Sequence, residues 1–155
     1  MNGYPSRLVL SSALWEQMQA HALACLPEEA CGVLGGLPAV SDEPAAAVLA
    51  LPVENALHSR VRFRMEPSAQ LQAFYALEEQ GLELLAVFHS HPRGPEHPSP
   101  TDLAEFAYPG VLSLILFPRD GAAWQVRAYA IHGTYSEESG FSEVPVVLTA
   151  QPGSV

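Results

Sequence analysis

The chain contains no lysine. Its seven basic residues are all arginine, scattered at positions 7, 60, 62, 64, 93, 119 and 127, and they stand against 17 Asp and Glu for a formal net charge of -10. A surface of that sign repels a phosphate backbone, so no nucleic-acid partner is expected. The same charge keeps a small protein dispersed and by itself selects no partner. Cysteine is scarce: Cys25 and Cys31 are the only two. They could bridge in principle, but the opening MNGYPSR is not followed by the apolar core of a secretory signal, so reduced thiols in a cytosol are expected. No unbroken apolar stretch reaches the roughly 18 residues of a membrane helix. Internal repeats are also missing. A chain of 155 residues then fits one domain, able to bury a core without structural metal or disulfides. These absences predict a soluble, cytoplasmic protein with no membrane partner.

What is present reads as strands alternating with helices. Arg7 to Leu10 is a short apolar run, and Ser11 and Ser12 are candidate N-caps for an amphipathic helix carrying Leu14, Trp15, Met18, Ala22 and Leu26 on one side. Ala30 to Leu37 and Ala45 to Val53 are apolar enough for buried strands and suggest a hairpin across the turn-rich Pro38 to Pro44. Val61 to Met65 alternates apolar and basic residues like a half-solvated strand. Pro67 to Gln80 reads as a helix burying Leu71, Phe74, Tyr75 and Leu77, with Gly81 placed for a left-handed cap. Leu84 to Phe88, Val111 to Phe117 and Ala123 to Ile131 read as further strands, the last pair joined by a turn at Asp120-Gly121, and Leu103 to Ala107 as a short helix. Residues 136–155 form an extension in which Val144 to Leu148 suits an edge strand because of Pro145, and 150–155 a frayed end. The main domain spans 1–135.

The chemistry concentrates in Ala86 to Asp102, AVFHSHPRGPEHPSPTD. Successive strand side chains point to opposite faces, so His89 and His91, separated by Ser90, project into one volume. Five residues of the following stretch, Pro92, Gly94, Pro95, Pro98 and Pro100, forbid a continuous helix or central strand. The chain must loop, and the loop can return Asp102 to the imidazoles. Two neutral imidazoles and a carboxylate suit zinc, and three protein ligands leave one tetrahedral position for water.

Each element also has a plainer reading. Paired histidines at a strand end can be ordinary hydrogen-bonding residues. Ser99, Pro100 and Asp102 form a capping-box-like helix start that needs no metal. Glu28 and Glu29 are indistinguishable from the residues alone. Arg93, Glu96 and His97 read as solvated loop residues or substrate contacts. Cys31 reads as core, with Trp15, Trp124 and Tyr75 as packing residues; His21, His58 and His132 lack ligand-like spacing. What the plain readings leave unexplained is why such a cap follows a proline-rich loop directly behind paired histidines, with a Glu before a glycine-rich strand.

The combination Glu29, His89-Ser90-His91, seven residues, then Ser99-Pro100-Thr101-Asp102 resembles the signature of the JAMM (MPN+) zinc metallopeptidases. Pro27 to Gly32, Asn55 and Phe63 to Pro67 are similar to the flanking text of its compact bacterial members. The resemblance covers about residues 8–130. It implies a single-domain α/β fold of the cytidine-deaminase-like (JAB/MPN) type, a curved mixed sheet flanked by helices near 12–26 and 67–80, with the metal at the sheet edge. It implies one Zn²⁺ per chain held by His89, His91 and Asp102, with Glu29 as acid-base and Ser99 stabilising the oxyanion. It further implies a peptidase or isopeptidase cutting after the C-terminal glycine of a ubiquitin-like or sulfur-carrier protein. A non-catalytic MPN scaffold is the alternative; an iron oxygenase with similar ligands and a nucleobase deaminase, which needs a Cys-x-x-Cys absent here, fit less well.

Overall fold

The computed structural model describes residues 3–37, 40–119, 122–132 and 140–150. The turn expected at Asp120-Gly121 and, apart from Ala150, the end expected to fray over 150–155 lie outside them. Strand β1 (Arg7–Ser11) runs straight into helix α1 (Ser12–Cys25), whose N-cap is Ser11, its hydroxyl accepting the Leu14 N–H at 3.2 Å. Strands β2 (Cys31–Gly36) and β3 (Pro44–Val53) form the anticipated antiparallel pair. Helix α2 (Pro67–Glu79) leads into β4 (Glu83–Ser90), and the short α3 (Pro100–Glu105) into β5 (Leu112–Arg119) and β6 (Ala122–His132).

The last strands, β7 (Gly140–Val144) and β8 (Val146–Thr149), close the architecture. The sheet order is β7-β6-β5-β4-β2-β3-β1-β8. The two strands at its opposite borders are therefore one run of chain, interrupted only by Pro145. Proline has no N–H to donate to a ladder, so the run changes partner there. Before it the chain pairs antiparallel with β6, and after it parallel with β1, while the Pro145 carbonyl accepts the Leu8 N–H at 2.9 Å. The sheet thus curls almost into a barrel.

One face of the sheet packs α1 through Leu14, Met18 and Ala22 against Leu8, Leu34, Phe88 and Leu114. The other packs α2 through Ala73 and Leu77 against Val33, Val87 and Ile115. Burying about 25 cal/mol for each Å² of apolar surface on both faces drives this arrangement.

Three expectations shift. Val61 to Met65 is not a strand: only Met65 makes a bridge, to Asn55, because the segment wraps around the Asn55 side chain instead of a neighbouring strand. In α2 the buried positions are Ala73 and Leu77, four apart, whereas Leu71 and Tyr75 are 51% and 56% exposed. The small Ala73 lets the helix lie close to the sheet, and that rotates the larger pair outward. Finally, β3 is only partly buried, with Ala45, Ala50 and Val53 as its buried positions.

Candidate metal and hydrolase site

Strands β4 and β5 run parallel and β2 antiparallel to them, so the end of β4 and the start of β2 meet at one rim, with Cys31 paired to His89. The carboxylate preceding β2 is thereby carried to the histidines leaving β4. This rim is formed by the ends of strands at the centre of the strand order. Two bonds fix the junction: the Ser90 N–H donates to the Ala30 carbonyl at 2.9 Å, and the Ala30 N–H donates to Ser90 Oγ at 2.7 Å. Ser90 is fully buried, so its hydroxyl is a strut for the Glu29 segment that the His-x-His spacing alone does not reveal.

Asn55 is a second strut. Its Nδ2 donates to the carbonyls of Glu29 and Arg62, each at 3.0 Å. Its Oδ1 accepts from Leu57 and Arg64 N–H at 3.0 and 3.2 Å, which saturates a buried amide. The two adjacent glutamates are separated by this geometry. Glu29 is 3% exposed, while Glu28 turns outward to His58 Nδ1 at 3.2 Å.

His89 Nε2, His91 Nε2 and Asp102 Oδ2 form a small triangle. The two nitrogens are 3.0 Å apart, and each is 3.2 Å from the carboxylate oxygen. His91 donates its Nδ1–H to the Pro95 carbonyl at 2.7 Å, which turns its Nε2 lone pair toward the triangle. His89 Nδ1 has no partner, and the ring is held instead by stacking on Phe63, with centroids 4.4 Å apart. Three ligand-type atoms therefore converge on one small volume. Bonds of about 2.0–2.1 Å to a tetrahedral ion put ligand atoms roughly 3.3 Å apart, close to the sides of this triangle. A carboxylate oxygen of Glu29 and one nitrogen of each imidazole also lie within 4.8 Å of one another, and Glu29 Oε1 is buried without a partner. The donor set fits a metal ion.

The loop that brings Asp102 back is anchored at several points. Ser99 caps α3: its Oγ accepts the Asp102 N–H at 3.0 Å and its N–H donates to Asp102 Oδ2 at 2.8 Å. The capping box and the triangle use the same carboxylate, so the plain and the functional readings of this segment coincide. Tyr129 of β6 donates its hydroxyl to the Glu96 carbonyl at 2.5 Å, and Tyr129 and His97 both meet the ring of Phe141 in β7. His97 and Arg93 are both exposed, as expected of loop residues, and His97 also stacks on Phe141.

Electrostatics follow burial. Burial pushes the Glu29 carboxyl up to about 8, eased by His91 and reinforced by Asp102. Burial would also raise Asp102, but hydrogen bonds from both imidazoles and the Ser99 N–H reverse this and hold it well below the carboxylate range. Burial lowers His89, and its bond to Asp102 only partly offsets this. For His91 burial is overcome by Asp102 and the Pro95 carbonyl, so its pKa rises. The Cys31 thiol, pushed to about 12 by burial and donating to the Val53 carbonyl at 3.3 Å, belongs to the core. His21 bonds the Cys31 carbonyl and His132 the Ser142 hydroxyl, so both serve structure.

Beside the triangle opens a pocket of about 320 Å³, lined by His89 and Asp102, by Val87 and Ser113 of the central strands, and by Phe63 and Phe106. An α/β sheet that gathers two imidazoles, two carboxyls and a pocket at one strand end is the arrangement of a metal-dependent hydrolase.

The chain matches the prokaryotic homologues of the JAB domain over residues 11–131, and it belongs to that family. It is 33% identical over 132 residues to a CysO-cysteine peptidase of Mycobacterium tuberculosis, covering 84% of this chain and 88% of that one. It is 35% identical over 133 residues to a probable TtuB-protein conjugate cleaving protease of Thermus thermophilus, covering 80% and 76%. A solution structure of a protein from Desulfitobacterium hafniense superposes with a TM-score of 0.78 at 29% identity, covering 93% of this chain and 94% of that one. No helix among the described residues is long and apolar enough to cross a membrane.

Proposed function

We propose that the protein is a cytoplasmic zinc peptidase that hydrolyses the amide bond after the C-terminal glycine of a ubiquitin-like or sulfur-carrier protein. His89, His91 and Asp102 would hold one zinc ion, as the triangle of 3.0–3.2 Å sides supports. Bound there, zinc supplies a Lewis acid for the scissile carbonyl and lowers the pKa of water at the site toward about 7. Glu29 is the acid-base: its buried, unpartnered carboxyl lies beside both imidazoles, where it accepts the proton of the attacking water and delivers it to the leaving amine. Ser99 Oγ accepts the Asp102 N–H, which leaves the hydroxyl proton to be donated to a developing oxyanion. Phe63 and Pro95 hold the two imidazole planes, so little reorganisation is needed on reaction. The two relatives named for cleaving CysO-cysteine and TtuB-protein conjugates support the substrate class.

The observation that carries this reading is the convergence of three ligand-type atoms next to the buried, unpartnered Glu29 carboxyl. The test is to count zinc per purified chain and to follow hydrolysis of carrier proteins ending in Gly-Gly-X. Wild type should contain one zinc and turn over, and Glu29→Gln should keep the zinc and lose turnover. A scaffold without activity would bind carrier and cleave nothing.

A further inference from the structure

On the basis of that reading, we infer that the pocket beside His89 and Asp102 receives the leaving residue, and that Arg64 binds the free α-carboxylate of that residue. The enzyme would then release a single amino acid from the carrier in preference to freeing a lysine side chain of a conjugated protein.

The first argument is charge. Three ionic side chains besides His89 line the pocket: Arg64, Asp102 and Glu105. Asp102 is engaged by both imidazoles and Glu105 by Arg62, at 3.2 Å in each case. Among the described residues no carboxylate lies within ion-pair distance of Arg64. The one uncompensated charge in the wall is thus a guanidinium, and its fork matches a carboxylate.

The second argument is shape. Val87 and Ser113 belong to the paired central strands β4 and β5, so the sheet itself closes that side of the pocket. A volume of about 320 Å³ is at the small end for ligand pockets and suits a single residue. The carrier's tail is an extended chain attached to a folded body. A lone leaving residue is a chain end, and its amine sits at the metal side, where Glu29 can protonate it.

The chemistry is ordinary hydrolysis. The bond between the glycine carbonyl carbon and the leaving nitrogen breaks, and the water oxygen joins the carbon. One proton goes to the amine, and nothing is oxidised or reduced. A leaving residue joined through its α-amine brings a carboxylate to Arg64, whereas a lysine joined through its ε-amine within a protein brings only an aliphatic stem.

Substitution of Arg64 spares the frame, because its contacts with Asn55 and Ala56 run through backbone atoms and its side chain is exposed. The test uses wild type and Arg64→Gln stripped of metal, titrated with glycyl-glycyl-alanine and with its C-terminal amide, and read by calorimetry and by NMR shifts of Ser113. The free acid should bind wild type about tenfold more tightly than the amide, with Ser113 shifting, and Arg64→Gln should remove that preference. Arg64→Lys should restore part of it. Equal binding of acid and amide, a preference that survives Arg64→Gln, or absence of binding would each overturn the proposal. With metal restored, kcat/KM on carrier-Gly-Gly-Ala should fall through KM in Arg64→Gln. If no carrier conjugate is cleaved while acid-selective binding holds, the peptidase reading fails and the pocket assignment stands.

Discussion

The ring of Phe141 lies almost parallel to that of His97, their centroids 5.8 Å apart and their planes at 10°. Tyr129 meets the same Phe141 edge-on at 5.3 Å and donates its hydroxyl to the Glu96 carbonyl. A strand beyond the region shared with the family thus braces the loop whose Pro95 carbonyl orients His91 and whose end delivers Ser99 and Asp102. Phe141→Ala should weaken zinc binding by about tenfold, the lower end for groups behind metal ligands, while Phe141→Tyr should restore it. Competition with a chromophoric chelator reads the affinity.

Metal itself should stabilise the fold. A ligand bound only by the native state adds about 2.7 kcal/mol when its free concentration is a hundred times Kd, worth roughly 5–10 °C in Tm for a chain of this size. Zinc added to chelator-treated protein should raise the melting temperature by that order. His89→Gln, which removes one corner of the triangle, should abolish most of the rise.

Without metal, the pH dependence of stability is set in part by Glu29. Its folded pKa, about 8, is above its ordinary 4.5, so its protonated form is the one folding favours. That contribution is fully present below about 4.5 and is lost as the pH rises through about 8. Glu29→Gln cannot ionise. In metal-free protein the melting temperature of Glu29→Gln should therefore gain on wild type between pH 5 and pH 8.5. A constant difference across that range would mean that the carboxyl does not titrate there.

Ser99 has two duties that one substitution can separate by size. Loss of the N-cap in Ser99→Ala should cost about 1 kcal/mol of stability. Loss of an oxyanion donor should cut kcat by about 10²–10³. A modest fall in Tm with a large fall in kcat fits both duties, and proportional losses would leave only the cap.

Gly32 shows why a glycine-rich strand precedes the site. A methyl group built on it would come within 2.3 Å of Phe88 Cζ and 2.5 Å of the Leu51 carbonyl oxygen, a backbone atom that cannot step aside. Gly32→Ala should cost about 1–3 kcal/mol, visible as a fall in Tm of a few degrees or more.

Much of this was legible in the residues because it is local. The two-residue spacing of His89 and His91, the proline-forced return to Asp102 and the Ser11 and Ser99 caps are all consequences of nearby sequence. The family of the chain was legible through that same spacing. Long-range facts were not. Choosing Glu29 over Glu28 depends on Asn55 and Ser90, which lie 26 and 61 positions away from Glu29, and on His58, which draws Glu28 outward. The rotation of α2 turns on how close Ala73 allows it to approach the sheet, and helical spacing of Leu71 and Tyr75 carries no information on that. The bracing role of Tyr129 and Phe141 left no signal, since aromatics in strands ordinarily read as core.

The kinked run around Pro145 makes the two borders of the sheet interdependent. Shortening the protein after His132 would strip both borders at once, exposing the ladder groups of β6 and of β1 together with Leu8 and Val144's former neighbours. Such a truncated species would replace the short border strands β7 and β8 with the longer flank of β6 and the newly bared flank of β1, and it should self-associate into strand-paired aggregates before it loses its helices.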